Sequence, residues 1–272
     1  MSSEENKYRD PKELAKYIIH KTPIGLLDQS MYNLKILLKG DILTSPEILK
    51  ELNIYKQNHL IPFEVKNAKT KVIVSPYNKD NEDFYYDQIQ KIRFKLNDKY
   101  EPENAEEYTI NTEIFRKIWR RMDEYIKKYY NAKAVNYNVY HNAILDKVQI
   151  IISGKICNNK NYWTGEWLSV WELDIEQKKM EGEIKVNTMY YEDSNVQFNL
   201  KKNYEEKNKG KDESSLADEL MNFIEKNEND VQDKIKIINE NISEEYVKSL
   251  RKRISLVDKD MNWSLDQIQL KK

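Results

Sequence analysis

The chain has 272 residues, 33% of them charged, and its 45 Lys and Arg residues against 46 Asp and Glu residues give a formal net charge of −1. A chain of this length can bury one sizeable core, so we expect one domain or two closely packed ones. The even charge balance excludes the global basic field of a nucleic-acid-binding protein. The single cysteine, Cys157, excludes an intrachain disulfide framework and a cysteine-rich zinc site.

The N-terminal residues Met1 to Asp10 are polar and lack the apolar segment of a secretory signal peptide. No apolar run approaches the length that would span a bilayer. These features predict a reduced, cytoplasmic protein without an integral membrane segment. Cys157 lies in an apolar, strand-like run, which predicts a small buried hydrophobic side chain rather than a reactive thiol.

Three short amphipathic helices are predicted between about residues 10 and 60. The first begins at Asp10-Pro11, a side-chain acceptor followed by a proline suited to the first turn. The second runs from about Asp28 to Gly40, and the third begins at Ser45-Pro46. The apolar residues expected on their buried faces are Leu14, Tyr17 and Ile18, then Met31, Leu34, Leu37 and Leu38, then Ile48, Leu49, Leu52 and Ile54. Tight connections between them predict a small helical bundle.

A small β region is predicted between residues 62 and 110, where short period-two runs occur at Val72–Val74 and from Ile92 to Leu96. A helix from Thr112 to Tyr130 follows. The residues that repeat in it with a 3.6-residue period are Phe115, Ile118, Trp119, Met122, Tyr125, Ile126 and Tyr129.

Five short strands with brief connections are predicted from Ala134 to Lys202. Their apolar runs lie at 135–139, 148–157, 167–175, 184–191 and 196–200. This arrangement is typical of an antiparallel meander. The charged segment 201–213 is predicted to be a loop.

The C-terminal region is predicted to contain a long helix from about Ser214 to Ile242, which would be around 40 Å long and would cross the sheet. Ser243 then begins a shorter helix that carries a basic cluster, Lys248, Arg251, Lys252 and Arg253. Residues 259–272 form a separate tail with apolar residues in a polar setting, which favours a partner surface. A frayed terminus that folds back on the body is the alternative. We therefore predict an α+β body over residues 1–258 and a tail over 259–272.

The most unusual segment is 161–171, Asn-Tyr-Trp-Thr-Gly-Glu-Trp-Leu-Ser-Val-Trp, with tryptophans four residues apart. This spacing fits one face of a helix or of a strand, and Gly165 and Val170 favour a strand. The residues that would then share one face are Trp167, Ser169, Trp171, Leu173 and Ile175. Core packing under the long helix is the prediction, and a ligand-stacking platform is the alternative.

Catalytic chemistry has little support in the sequence. His20, His59 and His141 fall in different predicted elements and show no metal-ligand spacing. His141 and Asp146 could meet across a turn, and a hairpin connection explains their positions equally well. No nucleophile stands beside a base, and no phosphate-binding loop is present. We predict a protein that is not an enzyme and uses no cofactor.

The tryptophan segment and a second run at 189–197, Met-Tyr-Tyr-Glu-Asp-Ser-Asn-Val-Gln, resemble the signature regions of F-actin-capping protein α subunits. The family has glycine where this chain has Ser194. The resemblance extends from the first helices to Trp263. It implies a helical bundle, a small β region, and a five-stranded antiparallel sheet covered by a long C-terminal helix.

The resemblance further implies a dimer that caps the barbed ends of actin filaments and blocks addition and loss of monomers. The α subunit would pair with a β subunit of the same fold, and a homodimer is possible if β is absent. The residues expected to contact actin are Lys248, Arg251, Lys252, Arg253, Lys259, Trp263, Leu265 and Ile268. A third basic position of the family falls on Asp258, which reverses the charge there.

One alternative within binding proteins stays open. The chain would then be a non-capping adaptor or scaffold subunit of an actin-related complex with the same fold. Either interpretation places it in the cytoplasm, at the actin cytoskeleton.

Overall fold

The computed structural model describes residues 10–23, 25–38, 41–80, 82–109, 112–130, 134–142, 146–158, 160–191 and 196–240. The chain divides into two compact units, Met1–Glu225 and Lys226–Lys272. The predicted boundary between residues 258 and 259 lies outside the described residues and stays a prediction.

The N-terminal bundle consists of helices α1 (Pro11–Lys21), α2 (Leu27–Leu37) and α3 (Pro46–Asn58), with a 3₁₀ turn at Asp41–Thr44. As predicted, the Asp10 carboxylate caps α1 by accepting a hydrogen bond from the Lys12 N–H at 2.9 Å. The Tyr55 hydroxyl donates to the Thr22 carbonyl at 2.9 Å and ties α3 to the end of α1. The core of the bundle contains Ala15, Ile19, Leu34, Leu38, Ile48 and Tyr55.

Two residues predicted to be in this core are instead exposed, Tyr17 at 47% and Leu37 at 68%. Ala15 and Ile19, four residues apart on α1, occupy the centre of the bundle and turn Tyr17 towards solvent. At the end of α2 the backbone becomes extended at Leu38, which places that side chain in the core in place of Leu37.

The small β region contains strands β1 (Tyr85–Asp87), β2 (Ile92–Phe94) and β3 (Glu106–Glu107), which form an antiparallel sheet in that order. The predicted run at Val72–Val74 is buried, but it makes only one bridge, between Val72 and Phe63. Its place is fixed by Asn78 of the following 3₁₀ turn, whose buried amide donates to the carbonyls of Ile73 (2.8 Å) and Tyr86 (3.1 Å).

The predicted central helix and the five-stranded meander are both confirmed. Helix α4 spans Glu113–Tyr129. The strands are β4 (Val135–Asn142), β5 (Lys147–Asn158), β6 (Trp163–Asp174), β7 (Lys179–Tyr190) and β8 (Val196–Lys207), and they pair antiparallel in chain order.

Strand β8 continues through most of the segment predicted to be a loop, Lys201 onward. Its charged residues form ion pairs with charged residues of β7. Lys201 lies 2.6 Å from Glu183, and Glu205 lies 3.2 Å from Lys179. Opposite charges on neighbouring strands allow a polar segment to extend the sheet.

The two faces of the sheet are covered by different elements. One face, which we call the helix side, packs against α4 and against the part of α5 (Glu213–Glu240) that belongs to the first compact unit. The Tyr137 hydroxyl donates to Asp123 of α4 at 2.9 Å, and Trp171 meets Phe223 of α5 edge-on at 5.5 Å. The opposite face, the outer face, carries Tyr140, Ile151 and Leu168, which pack with Leu60, Ile73 and Tyr86.

The prediction that the long helix covers the tryptophan face is confirmed at Trp171, which is fully buried. Trp167 is only half-buried, and Ile175 lies beyond the end of β6. Within the first compact unit, α5 is held by an ion pair between Asp218 and Arg121 of α4 at 2.5 Å. The predicted helix that begins at Ser243 lies outside the described residues.

Gly182 allows the close approach of Trp171. A Cβ atom at Gly182 would overlap the indole ring, which Tyr204 and Phe223 hold from other directions. At Gly154, by contrast, the nearest heavy atom to an added Cβ is 3.7 Å away, an ordinary contact.

We therefore predict that Gly182→Ala lowers the free energy of unfolding by at least about 2 kcal/mol through overpacking. Gly154→Ala, the matched control on the neighbouring strand pair, should change it by less than about 0.5 kcal/mol. Urea denaturation of both variants measures the difference. Equal stabilities would show that the indole ring can move aside.

His141 joins three elements at the β4–β5 hairpin. Its Nδ1 lies 2.7 Å from the hydroxyl of Thr112, the N-cap of α4, and its backbone exchanges two 2.8 Å hydrogen bonds with the Gln88 side chain. Its Nε2 lies 3.8 Å from an oxygen of Asp146. Burial lowers the pKa of His141, and the nearby carboxylates of Asp146 and Glu213 only partly oppose this.

This lowered pKa predicts acid sensitivity. The unfolded chain binds a proton at His141 near the ordinary pKa of about 6.5, whereas the folded chain resists protonation. The stability that the neutral ring supplies is present above that pH and is lost as the pH falls towards the lower folded pKa. Urea titrations between pH 7.5 and 5 should show a shallower decline for His141→Gln than for the parent chain. The exposed variant His20→Gln serves as control, and identical slopes for His141→Gln and the parent would contradict the assignment.

Candidate functional site

The residues predicted to contact actin all lie outside the described residues. They are Lys248, Arg251, Lys252, Arg253, Lys259, Trp263, Leu265 and Ile268. Their roles therefore stay predictions. The surfaces that the structure does describe lie on the sheet and on the elements that flank it.

Strand β8 forms one edge of the five-stranded sheet. It pairs with β7 along its whole length, from Val196 opposite Tyr190 to Lys207 opposite Lys179. No other strand among the described residues pairs with its second side. The open edge of a 12-residue strand can present backbone donors and acceptors to an extended partner.

The helix side of the sheet continues beyond the part that Trp171 marks as core, and we call this continuation the apolar platform. Register places Trp167, Val186 and Leu200 in one row across β6, β7 and β8. The members of the platform are Ile156, Trp163, Trp167, Val186, Tyr190, Phe198 and Leu200. Ile156 is 48% exposed and Tyr190 39%, and the others are half-buried.

The platform contrasts with the other end of the same face, where Trp171, Leu173, Met180 and Ile184 are buried. An apolar surface of this kind, beside an open strand edge, is typical of a protein interface rather than of a catalytic pocket. The sequence analysis missed it. The sequence signal for the platform is the alternation of apolar residues at Val196, Phe198 and Leu200. A strand whose apolar face is fully covered within one chain shows the same alternation, so the pattern alone does not indicate an exposed surface.

The second unusual run is only partly described. The Tyr191 N–H donates to the Tyr162 carbonyl at 2.9 Å, and the two rings meet edge-on at 6.0 Å. This contact joins the β5–β6 turn to the end of β7. Residues 192–195, including Ser194, lie outside the described residues.

The described histidines do not converge on a reaction centre. His20 lies 2.8 Å from Glu51 and His59 lies 3.5 Å from Glu166, while His141 lies at the hairpin discussed above. In the described ranges no group of three or more His, Cys, Asp or Glu side chains is placed to hold a metal ion.

Cys157 differs from its prediction, because its side chain is exposed and not buried. It lies near the end of β5, next to Gly25. The apolar sequence of the strand continues there beyond the buried part of the sheet. Partial desolvation raises the pKa of its thiol, which disfavours the reactive thiolate.

None of the helices in the described part of the chain combines the length and apolarity that a bilayer crossing requires.

Comparisons with known proteins give a consistent result. The chain is 24% identical to the F-actin-capping protein subunit alpha of Schizosaccharomyces pombe over 255 residues, which are 93% of this chain and 95% of that protein. It is 26% identical to that of Saccharomyces cerevisiae over 259 residues, 93% and 91% of the two chains. It is 29% identical to that of Candida glabrata over 252 residues, 92% and 91%.

A solved structure supports the same fold. The homodimeric actin capping protein alpha subunit from Plasmodium berghei superposes with a TM-score of 0.69 at 20% identity, covering 93% of this chain and 100% of that chain. The family model of the F-actin capping protein alpha subunit matches residues 15–272. Because this match spans nearly the whole chain, the chain belongs to the F-actin capping protein alpha subunit family.

Proposed function

We propose that this chain is the α subunit of a dimer that caps the barbed ends of actin filaments in the cytoplasm. Its family membership carries the proposal, together with relatives whose names describe F-actin-capping subunits. The proposal assigns the chain no catalytic step and no cofactor. No described feature favours the adaptor alternative.

The basic segment 248–253 would supply the electrostatic part of capping. Four of its six residues, Lys248, Arg251, Lys252 and Arg253, are basic in a chain whose net charge is −1. Concentrated charge of one sign steers association with a surface of opposite sign and is screened by salt. Lys259 would extend the patch, whereas Asp258 would reduce its charge.

The tail would supply the apolar part. Trp263, Leu265 and Ile268 would dock in a groove on the filament end. Burying roughly 300 Å² of apolar surface at about 25 cal/mol/Å² gives about 7 kcal/mol before costs. Ordering the tail and losing rigid-body freedom would remove most of this. The tail and the basic segment must therefore act together.

The dimer would use the open edge of β8 and the apolar platform. A partner of the same fold could continue the sheet through β8 and cover the half-exposed side chains beside it, which removes both liabilities of the isolated subunit. We expect a capping protein β subunit as the preferred partner. A second copy of this chain can use the same surface when β is absent.

We predict that the pair Lys248→Glu and Lys252→Glu weakens capping by several-fold to about a hundredfold and flattens its dependence on salt. The exposed lysines Lys66 and Lys69, replaced by Glu in the same way, give a control with an equal change in charge. Seeded elongation of pyrene-labelled actin from barbed ends measures both. Unchanged capping by the first variant would refute the assignment of these lysines.

Two substitutions in β8 test the surface that we propose for the dimer. Leu200→Lys places a charge on the apolar platform, so it should weaken association by tenfold or more, in the range found when a well-buried interface residue is lost. Asn203→Lys adds the same charge to the outer face of the same strand and should have a smaller effect. Sedimentation equilibrium of the chain alone and with its β partner measures association, and equal effects of both variants would contradict a role for the platform.

A further inference from the structure

A cleft of about 280 Å³ lies between the helical bundle and the outer face of the sheet. Its floor is formed by side chains of β6, β7 and β8, namely Thr164, Glu166, Asn187, Met189, Gln197 and Asn199. The end of α1 at residues 20–23 and His59 at the end of α3 form the opposite side. The volume far exceeds the roughly 30 Å³ share of one water molecule.

One group in the floor is incompletely satisfied. Glu166 is only 4% exposed, and its Oε2 accepts a hydrogen bond from the Asn187 amide at 3.0 Å. Its Oε1 is buried and accepts no hydrogen bond. A buried carboxylate oxygen without a donor is costly, so a ligand that brings a donor to Oε1 gains from satisfying it.

The basic side chains nearest to Oε1 do not supply that donor. His59 Nδ1 lies 3.5 Å away and Lys155 Nζ lies 4.0 Å away. The Lys155 ammonium instead donates to the carbonyl of His59. Burial lowers the pKa of Lys155 to about 8 although Glu166 opposes the shift, so this buried cation loses its proton easily.

We propose that this cleft binds a guanidinium group, with Glu166 Oε1 as its charged acceptor and the side-chain carbonyls of Asn187 and Asn199 as further acceptors. Register places these three residues in one row across β6, β7 and β8. A planar group with five N–H donors matches a row of acceptors better than a compact ammonium does. Glu166 repels ligands that carry a carboxylate or phosphate.

The charge of Lys155 should make the affinity for a guanidinium depend on pH. A second cation beside Glu166 favours the neutral form of Lys155, so binding releases a proton and tightens as the pH rises through 8. The titratable and charged groups that line the cleft are Glu166 on β6, His59 at the end of α3, and His20 and Lys21 on α1. Lys155 on β5 borders Glu166, and so does Tyr55 of α3, whose pKa is raised to about 12 by burial and then by Glu166. The Glu166 side chain is 3% exposed and the Lys155 side chain 18% exposed, so both are shielded from solvent more than the two histidines.

The test is calorimetric titration of the full-length chain with methylguanidine and, separately, with N-acetyl-arginine amide. We expect one site, proton release detected by comparing buffers of different ionisation enthalpy, and affinity up to about eightfold higher at pH 8.5 than at pH 7.0. Equal affinity for the two probes indicates a free guanidino compound, and tighter binding of the arginine amide indicates an arginine side chain of a protein segment.

Variants decide whether the binding belongs to this cleft. Glu166→Gln should weaken it by at least tenfold, whereas Glu172→Gln, on the same face but outside the cleft, should leave it unchanged. Asn199 is exposed, so Asn199→Leu should weaken binding several-fold without risk to folding, and it decides the matter if Glu166→Gln fails to fold. No binding of either probe at millimolar concentration, or equal binding by Asn199→Leu and the parent chain, would overturn the proposal.

Discussion

The packing of one indole ring fixes the relation between the sheet and the first half of the long helix. Trp171 on β6 lies over Gly182 of β7, meets Tyr204 of β8 at 5.9 Å and meets Phe223 of α5 at 5.5 Å. A glycine on one strand and a large aromatic residue on its neighbour fill the space under the helix together. Three strands and a helix therefore depend on a single residue pair, and the helix side of the sheet is core only near it.

That limit explains why the two ends of the same face differ. Near Trp171 the side chains of β6 and β7 are buried, whereas the row of Trp167, Val186 and Leu200 retains exposed surface. An apolar platform beside an open strand edge is the surface that we propose for the dimer partner. On this view the sheet is completed by association and not within one chain.

The sequence predicted the elements better than it predicted their surfaces. Helix α4 has a clear 3.6-residue apolar period. At β6 the tryptophan spacing fits a helix or a strand, and Gly165 and Val170 indicated the strand. Tyr17 and Leu37 were assigned to the bundle core because apolar residues occur on more than one face of α1 and α2. Only the packed structure shows which face is buried. The charged end of β8 looked like a loop because pairing with Glu183 and Lys179 on β7 is not visible in the segment itself. The proposed filament contacts came from the resemblance to a family. Glu166 gave no sequence signal, because the burial of its carboxylate depends on residues from three distant segments of the chain.

The connectivity of the sheet has a consequence for how the chain folds. Each strand pairs only with its neighbours in sequence, and β6 joins β7 across just four residues, Ile175 to Lys178. Contacts between residues that are close in sequence form quickly, so the hairpins can form early and the strands can then pair one after another. Strand β8 lies at one end of this order, and no other strand of the described residues pairs with its outer side. A sheet that has formed without a partner still presents this edge, so simultaneous synthesis of a partner would shorten the interval in which edge-to-edge aggregation can occur.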